Sequence, residues 1–545
     1  MPFKIILLSG PVCSGKSELA AGFRERYDAT IVKTNELLKD RLDPSGEMSR
    51  KKFQKAGEDL DKHDGGKWVA DGLARLINDR DLSEGIIVID AIRIAEQAKH
   101  IRKTFGSNGS TMGSQIYHIH VTASLATLET RYKKRISKFS ELKSYAEVAR
   151  NKTERNVGKL SEISDVNIHT DNIEPGDVLV RAAAHLNLYP RSAVPLVDVL
   201  IGGQYGSEGK GHIAAHLAPE YDCLVRVGGP NAGHKVYEKI LKKKDIKTFH
   251  HLPSGTMRNQ NATIILGAGS VIRLPVLEKE ILFTQISADR LFIDKKAMII
   301  EDADIEEEQK NLVGKISSTG QGVGSATARK ILNRDPDGDV RLAEDVPELK
   351  PYLADTVSKL EDIIQSNKKV LLEGTQGTSL SLHHGGYPWV TSRDTTVSGC
   401  IAEAGISPRR VRKVIMVCRT YPIRVGGPSG PMKNEISRKE ISRRSGISYY
   451  EIKKVEKTST TGKVRRIGEF DWEQLQRAVI LNGPTEIALS FVDYLDVENR
   501  KAHRFEQLTD STIKFIEEVE RVSGVPVSLI STGFDYRSII DRRAW

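Results

Sequence analysis

Gly202-Gly-Gln-Tyr-Gly-Ser-Glu-Gly-Lys-Gly211 follows the apolar run Val197-Asp-Val-Leu-Ile201 and precedes a helix-like stretch over residues 212–218. A strand, a glycine-rich turn and a helix in that order bring backbone N–H groups and a positive helix end to one point, which suits a phosphate. The glycines do not fall at the GxxxxGK[ST] spacing, so this is a cradle of another kind. Arg226-Val-Gly-Gly-Pro-Asn-Ala-Gly-His234 comes next. Its glycines permit close backbone approach, and His234 offers an imidazole near the same phosphates. Strand-like runs at 262–266, 370–372 and 414–417 continue the alternation. They predict an α/β domain on a mostly parallel sheet.

The same order of elements opens the chain. The run at 5–8 leads into Gly10-Pro-Val-Cys-Ser-Gly-Lys-Ser17, a full GxxxxGK[ST] match. Gly10, Ser14 and Gly15 belong to the curl that aims N–H groups at phosphates. Lys16 reaches the β- and γ-phosphates, and Ser17 can hold magnesium. Asp90 ends the apolar strand 86–89, where a magnesium-organising carboxylate is expected, and Arg93 follows it. Arg131 and Arg135 share a helix face and are candidates to clamp phosphates. His118 and His120 alternate on a strand and are expected to face solvent or neighbours rather than a metal. Strands at 5–8, 86–89 and 116–121 alternate with helices at 17–26, 67–77 and 124–134, again predicting a parallel sheet covered on both faces. Asn187-Leu-Tyr-Pro-Arg-Ser-Ala-Val-Pro195 reads as a linker. The expected domains are 1–191 and 192–545.

With 545 residues, 39% hydrophobic and 28% charged, the chain fits about two to four globular domains. No apolar run is long enough to span a bilayer, so a cytoplasmic location is expected. Cys13, Cys223, Cys400 and Cys418 form no CxxC pair, which argues against structural zinc and a disulfide scaffold. A net charge of +10 suits anionic partners such as nucleotides. Its basic clusters (242–244, 409–413, 443–444, 465–466) are short and lack interleaved aromatics, so nucleic acid is not an expected partner.

Blocks at 202–211, 226–234, 249–255, 318–324, 372–378, 386–392 and 459–468 appear in the order found in adenylosuccinate synthetases, and residues from about 196 to the end resemble that family. The first 191 residues more loosely resemble P-loop nucleoside monophosphate kinases. The synthetase resemblance implies a ligase in a homodimer: a γ-phosphoryl group activates a purine 6-oxygen, and the amine of L-aspartate then displaces phosphate. It implies Mg2+, ATP or GTP, and a purine nucleoside monophosphate. Catalytic roles fall on Ser207, His234, Lys210 and Gln376. Glu208, Gly209, Gly211, Asn231, Gly233, Thr319, Arg334, Thr391 and Asp493 would bind nucleotide, with Arg329 competing for the 5′-phosphate role. Thr460, Thr461, Lys463 and Arg465 would hold aspartate, and Ser207 and Gly233 would lie at the metal.

Three positions depart from the family pattern. Ser207 stands where the family has an aspartate that takes the purine N1 proton. A hydroxyl is a weaker base but leaves room beside C2, and the GSEGKG form resembles the PurZ (2-aminoadenylosuccinate synthetase) branch acting on dGMP. Lys463 replaces an arginine, and Phe491 a lysine near Asp493. The alternatives are an ordinary synthetase using IMP and GTP, and a non-catalytic nucleotide-sensing module.

Overall fold

The computed structural model of the chain describes residues 3–39, 50–106, 114–134, 144–150, 152–189, 194–240, 243–336, 338, 340–457, 462–534 and 538–543. The chain divides into two compact units, Met1–Arg191 and Ser192–Trp545.

The first unit is built on five parallel strands: β1 (Lys4–Ser9), β2 (Thr30–Lys33), β3 (Ile86–Asp90), β4 (Gln115–Thr122) and β5 (Val166–His169), in the order β2-β3-β1-β4-β5. Strand β1 is apolar throughout because both faces are covered. Ile5 and Leu7 pack with Val69, Leu73 and Ile101. Ile6 and Leu8 pack on the opposite face with Leu19, Phe23 and Leu179. The strands on either side of β1 are reached by diverging connections, which opens a crevice at its carboxyl end. There the chain enters the loop 10–15 and then α1 (Lys16–Tyr27). Of the two expected surroundings for His118 and His120, solvent or neighbours, the structure shows neighbours. Both are buried on β4 and hydrogen-bond the Ser9 hydroxyl, at 2.7 and 2.9 Å. Their place beside the central strand explains the burial, which pushes each imidazole down to about 4.

The second unit holds a ten-stranded sheet. Its order is Leu353–Ala354, Leu291–Asp294, Thr263–Leu266, Cys223–Arg226, Val370–Glu373, Val197–Gly202, Val411–Arg419, Glu486–Ser490, Val527–Ser531 and Ile539–Asp541. All pairs are parallel except the last. From Val197–Gly202 the chain builds outward on one side, returns at Val370–Glu373, and then builds the other side. The switch therefore lies at the centre, and the loops leaving the carboxyl ends there form the natural ligand crevice. Alternate residues of the central strand feed two cores, Val197, Val199 and Ile201 on one face and Leu200 on the other. Asp198, buried within this apolar run, is satisfied by the Tyr221 hydroxyl at 2.6 Å and Arg412 Nε at 2.9 Å.

Candidate active sites at the two glycine-rich loops

In the second unit, the chain leaves Val197–Gly202 and turns through 203–209 into the helix Lys210–Leu217. Glu208 braces this turn from beneath. Its Oε1 accepts from the N–H groups of Gln204 (3.1 Å) and Gly206 (2.7 Å), and Oε2 pairs with Lys210 Nζ at 2.6 Å. Both side chains are buried. The Glu208 carboxylate, expected among nucleotide-binding groups, is thus consumed by the loop, because two backbone donors and a lysine already fill it. Gly209 caps the helix at φ +92°, where only glycine sits without strain.

His234 sits against the first turn of this helix: a Cβ on Gly211 would lie 2.8 Å from the His234 Cβ. The imidazole Nδ1 lies 2.5 Å from Glu373 Oε1, and Glu373 also accepts from Ser254 Oγ (2.5 Å) and Ser254 N–H (2.7 Å). Arg226 stands 3.7 Å from the same carboxylate. Burial opposes a charge on Glu373, but His234, Arg226 and Ser254 outweigh it and hold the group at about 2. Burial and then Arg226 lower His234 to about 4. An ionised Glu373 only accepts, so Nδ1 carries the imidazole proton and Nε2 keeps its lone pair. Glu373 and Ser254 were missed as functional residues; the acid ending the apolar run 370–372 was the available signal. Gly211→Ala is expected to displace His234 and lower kcat about tenfold, with the fold intact by circular dichroism.

Asn231, Gln376 and Thr391 come together from three separate loops. Gln376 Nε2 donates to Asn231 Oδ1 (2.8 Å), and Asn231 Nδ2 to Thr391 Oγ1 (3.3 Å). Gln376 has φ +57°, an unusual backbone state for a glutamine. Behind them Arg393 donates to Thr375 (2.6 Å) and to Glu403 (2.7 Å). Thr319 lies on a turn held by Glu308, which accepts from Gly322 and Gly324 N–H at 2.9 and 2.5 Å. Arg329 is engaged by Asp304 (2.7 Å), whereas Arg334 is exposed just past the helix Val323–Leu332. Gly233 is half-buried between Asn231 and His234.

Ser207 is exposed at the loop tip in a left-handed conformation, φ +57°. Arg465 NH2 donates to its Oγ at 3.4 Å. Arg465 also pairs with buried Glu456 (3.4 Å), which Arg419 shares (2.6 Å). The Arg419 guanidinium covers the Phe491 ring at 3.9 Å. Asp493 is buried and accepts from Arg500 Nε at 3.0 Å. Lys463 is half-buried, and Thr460 and Thr461 lie outside the described residues.

Buried histidines make the second unit acid-sensitive. Burial lowers His234 to about 4 and His251 to about 3. Between those values and the ordinary 6.5 the unfolded chain binds more protons. Stability is therefore expected to fall as pH drops from about 6.5 to 4, seen as a falling urea midpoint.

In the first unit, Lys16 is buried and folded onto its own loop, donating to Gly10 O (2.8 Å) and Pro11 O (2.7 Å). Burial, then Arg93, lowers it to about 8. Ser17 Oγ donates to Asp90 Oδ2 at 3.1 Å. Among the described residues the buried Ser14 hydroxyl has no partner. Gly10 and Gly15 hold positive φ at either end of the loop. Arg131 reaches back to Cys13 O (3.5 Å) and to Thr170 Oγ1 (2.9 Å), Arg93 pairs with Glu154 at 2.5 Å, and Arg135 lies outside the described residues. Ser14, Gly15, Lys16, Ser17, Asp90, Arg93 and Arg131 line one cavity of about 1860 Å³. No described helix is long and apolar enough to cross a membrane.

A model of the adenylosuccinate synthetase family matches residues 199–337 and 340–500. The adenylosuccinate synthetase of Pyrococcus sp. is 38% identical over 357 residues, covering 63% of this chain and 98% of that protein. That of Archaeoglobus fulgidus is 39% identical over 350 residues, with the same coverage. The solved Cyanophage S-2L succinoaminodeoxyadenylate synthetase (PurZ), bound to dGMP and dATP as an energy donor, is similar at 27% identity. It has a TM-score of 0.53 and covers 64% of this chain and 96% of its own. The fully ligated Plasmodium falciparum adenylosuccinate synthetase shares the fold at 23% identity and TM-score 0.55, covering 64% and 100%.

The chain belongs to the adenylosuccinate synthetase family. Its second unit is a C–N ligase of that type, joining aspartate to a purine nucleotide.

Proposed function

We propose that this ligase acts on dGMP, in the manner of the PurZ branch. The observation that carries the proposal is Ser207. Where the family pattern has a carboxylate, an uncharged hydroxyl sits exposed at the loop tip, its only partner among the described residues being Arg465. A small neutral group leaves space for a 2-amino group beside N1. The likeness to a synthetase solved with dGMP supports it. Homodimerisation remains an inheritance from the family.

The N–H groups at Gly209 and Gly211, the helix end at Lys210 and the Gly233 backbone would cradle the triphosphate. Asn231, Gln376, Thr319 and Thr391 would hold the acceptor nucleotide, with Arg334 free to meet its 5′-phosphate. Arg465 and Lys463, with Thr460 and Thr461, would take the aspartate carboxylates. His234 Nε2 would face the phosphoryl group in transit. Anionic phosphates nearby raise its proton affinity, and Glu373 stabilises the resulting imidazolium. The bond from the γ-phosphorus to the donor diphosphate breaks as the γ-phosphoryl group bonds to the 6-oxygen, and the N1 proton passes to water beside the Ser207 hydroxyl. The aspartate amine then bonds to C6 and gives its proton to water, and the C–O bond breaks to release phosphate.

Among the described residues no group of three or more histidine, cysteine or acidic side chains could hold a metal. This donor set fits Mg2+ bound mainly through nucleotide phosphates and a few oxygens, such as Ser17 and Asp90 in the first unit and Ser207 and the Gly233 carbonyl in the second. When bound, it neutralises phosphate charge.

The 36–39% identity to ordinary synthetases favours IMP with GTP as the second reading, with Asp493 at the donor base. For the first unit, the loop at β1, Asp90 and the arginines around one cavity support phosphoryl transfer from ATP to a nucleoside monophosphate.

Incubation with aspartate, Mg2+ and ATP or GTP, comparing dGMP and IMP by mass, tests the ligase. Succinylated dGMP supports the first reading, and succinylated IMP alone the second. Nucleotide binding without either product would leave a sensing module.

A further inference from the structure

The cavity of the first unit extends well beyond its phosphate loop. Part of its wall is Asp61 on the helix Arg50–Asp64, Trp68 on Lys67–Asp79 and Gln97 on Ala95–Phe105. Trp68 and Gln97 are buried, and both donate to the same carboxylate oxygen: Trp68 Nε1 to Asp61 Oδ1 at 2.8 Å and Gln97 Nε2 to Oδ1 at 2.9 Å. Gln97 is itself fixed, because its Oε1 accepts from the Arg93 N–H at 2.9 Å. Oδ1 therefore has both lone pairs used. Oδ2 has no partner among the described residues.

A carboxylate clamped by two buried donors, with its second oxygen unmet on a cavity wall, is built to receive a hydrogen-bond donor. Burial raises the Asp61 pKa, the two donors oppose this, and neighbouring Asp64 and Glu58 raise it further. The local field is negative and favours a ligand edge carrying hydrogens. The helix bearing Asp61 lies in the connection from β2 to β3, and β2 is two strands from β1.

We propose that Asp61 reads the base of the acceptor nucleotide in this cavity and selects guanine; this rests on the first unit being a nucleoside monophosphate kinase. Guanine presents two adjacent donors, N1–H and the 2-amino group, which the two lone pairs of Oδ2 can accept together. Adenine, cytosine and thymine each set a lone pair beside their donor, which a carboxylate repels. Hypoxanthine keeps N1–H but lacks the amino group.

The test uses the full chain with ATP and Mg2+ but no aspartate, identifying diphosphate products by mass. Conversion of dGMP to dGDP is expected at a kcat/KM about tenfold or more above that of dIMP, dAMP, dCMP or dTMP. Asp61→Asn is expected to lower dGMP use at least about tenfold while sparing dAMP, whose edge an amide can match, with ATP binding unchanged. Equal use of dTMP and dGMP, or an unaltered nucleotide order in the variant, would overturn the assignment to Asp61 and leave the kinase intact. No diphosphate from any monophosphate would refute the kinase and this inference together. Should the variant lose ATP binding, the wild-type panel alone decides.

Discussion

Replacing His234 with asparagine is expected to lower kcat for aspartate ligation by about 10²–10⁴-fold, with little change in KM for either nucleotide. The imidazole stands at the helix end where the phosphates would lie, and it can take up a proton there. Glu373 holds the Nδ1 proton at 2.5 Å, so any new proton arrives at Nε2. An asparagine keeps some hydrogen-bonding capacity but cannot become a cation. Glu373→Gln separates position from charge: its amide oxygen can still accept from Nδ1, yet it no longer stabilises an imidazolium. An intermediate loss is expected there, with the alkaline limb of the kcat profile moved to lower pH, because the protonated imidazole is the acting form. A His234→Asn enzyme with normal kcat and raised KM would show that His234 only binds.

Ser207→Asp is expected to change the preference for dGMP over IMP by about 10²–10³-fold toward IMP. Aspartate tolerates the left-handed backbone at φ +57°, so the loop keeps its path. The new carboxylate would pair with Arg465, 3.4 Å from the present hydroxyl. It would restore an acceptor for the N1 proton and crowd a 2-amino group. Steady-state kcat/KM for both nucleotides measures this. An unchanged preference would remove Ser207 from substrate choice.

Much of the architecture was legible in local patterns. Both sheets announce themselves as an apolar run ending in glycines, because a strand buried on both faces has no polar alternation and a phosphate cradle needs positive φ. The strand order was not legible. Val370–Glu373 inserts between Val197–Gly202 and Cys223–Arg226, and only packing between distant segments places it there. The same limit applies to the site. His234 is visible in its motif, but Ser254 and Glu373, which fix its proton, are 20 and 139 residues away in sequence. Arg329 and Arg334 look alike as letters, and Asp304 is what separates them. Asp61 carried no motif at all; only Trp68 and Gln97 closing on one of its oxygens make it conspicuous.

Two guanidinium groups, Arg419 and Arg465, share the single carboxylate of Glu456, and that chain joins Ser207 at one end to Phe491 at the other. The buried cluster thus carries one surplus positive charge. A carboxylate at 207 alone would cancel it, and a lysine at 491 alone would double it. Installing both would return the present total. Two of the three positions that depart from the family pattern are therefore coupled through charge: changing either one alone shifts the total of the cluster by one unit, and changing both leaves it as it is.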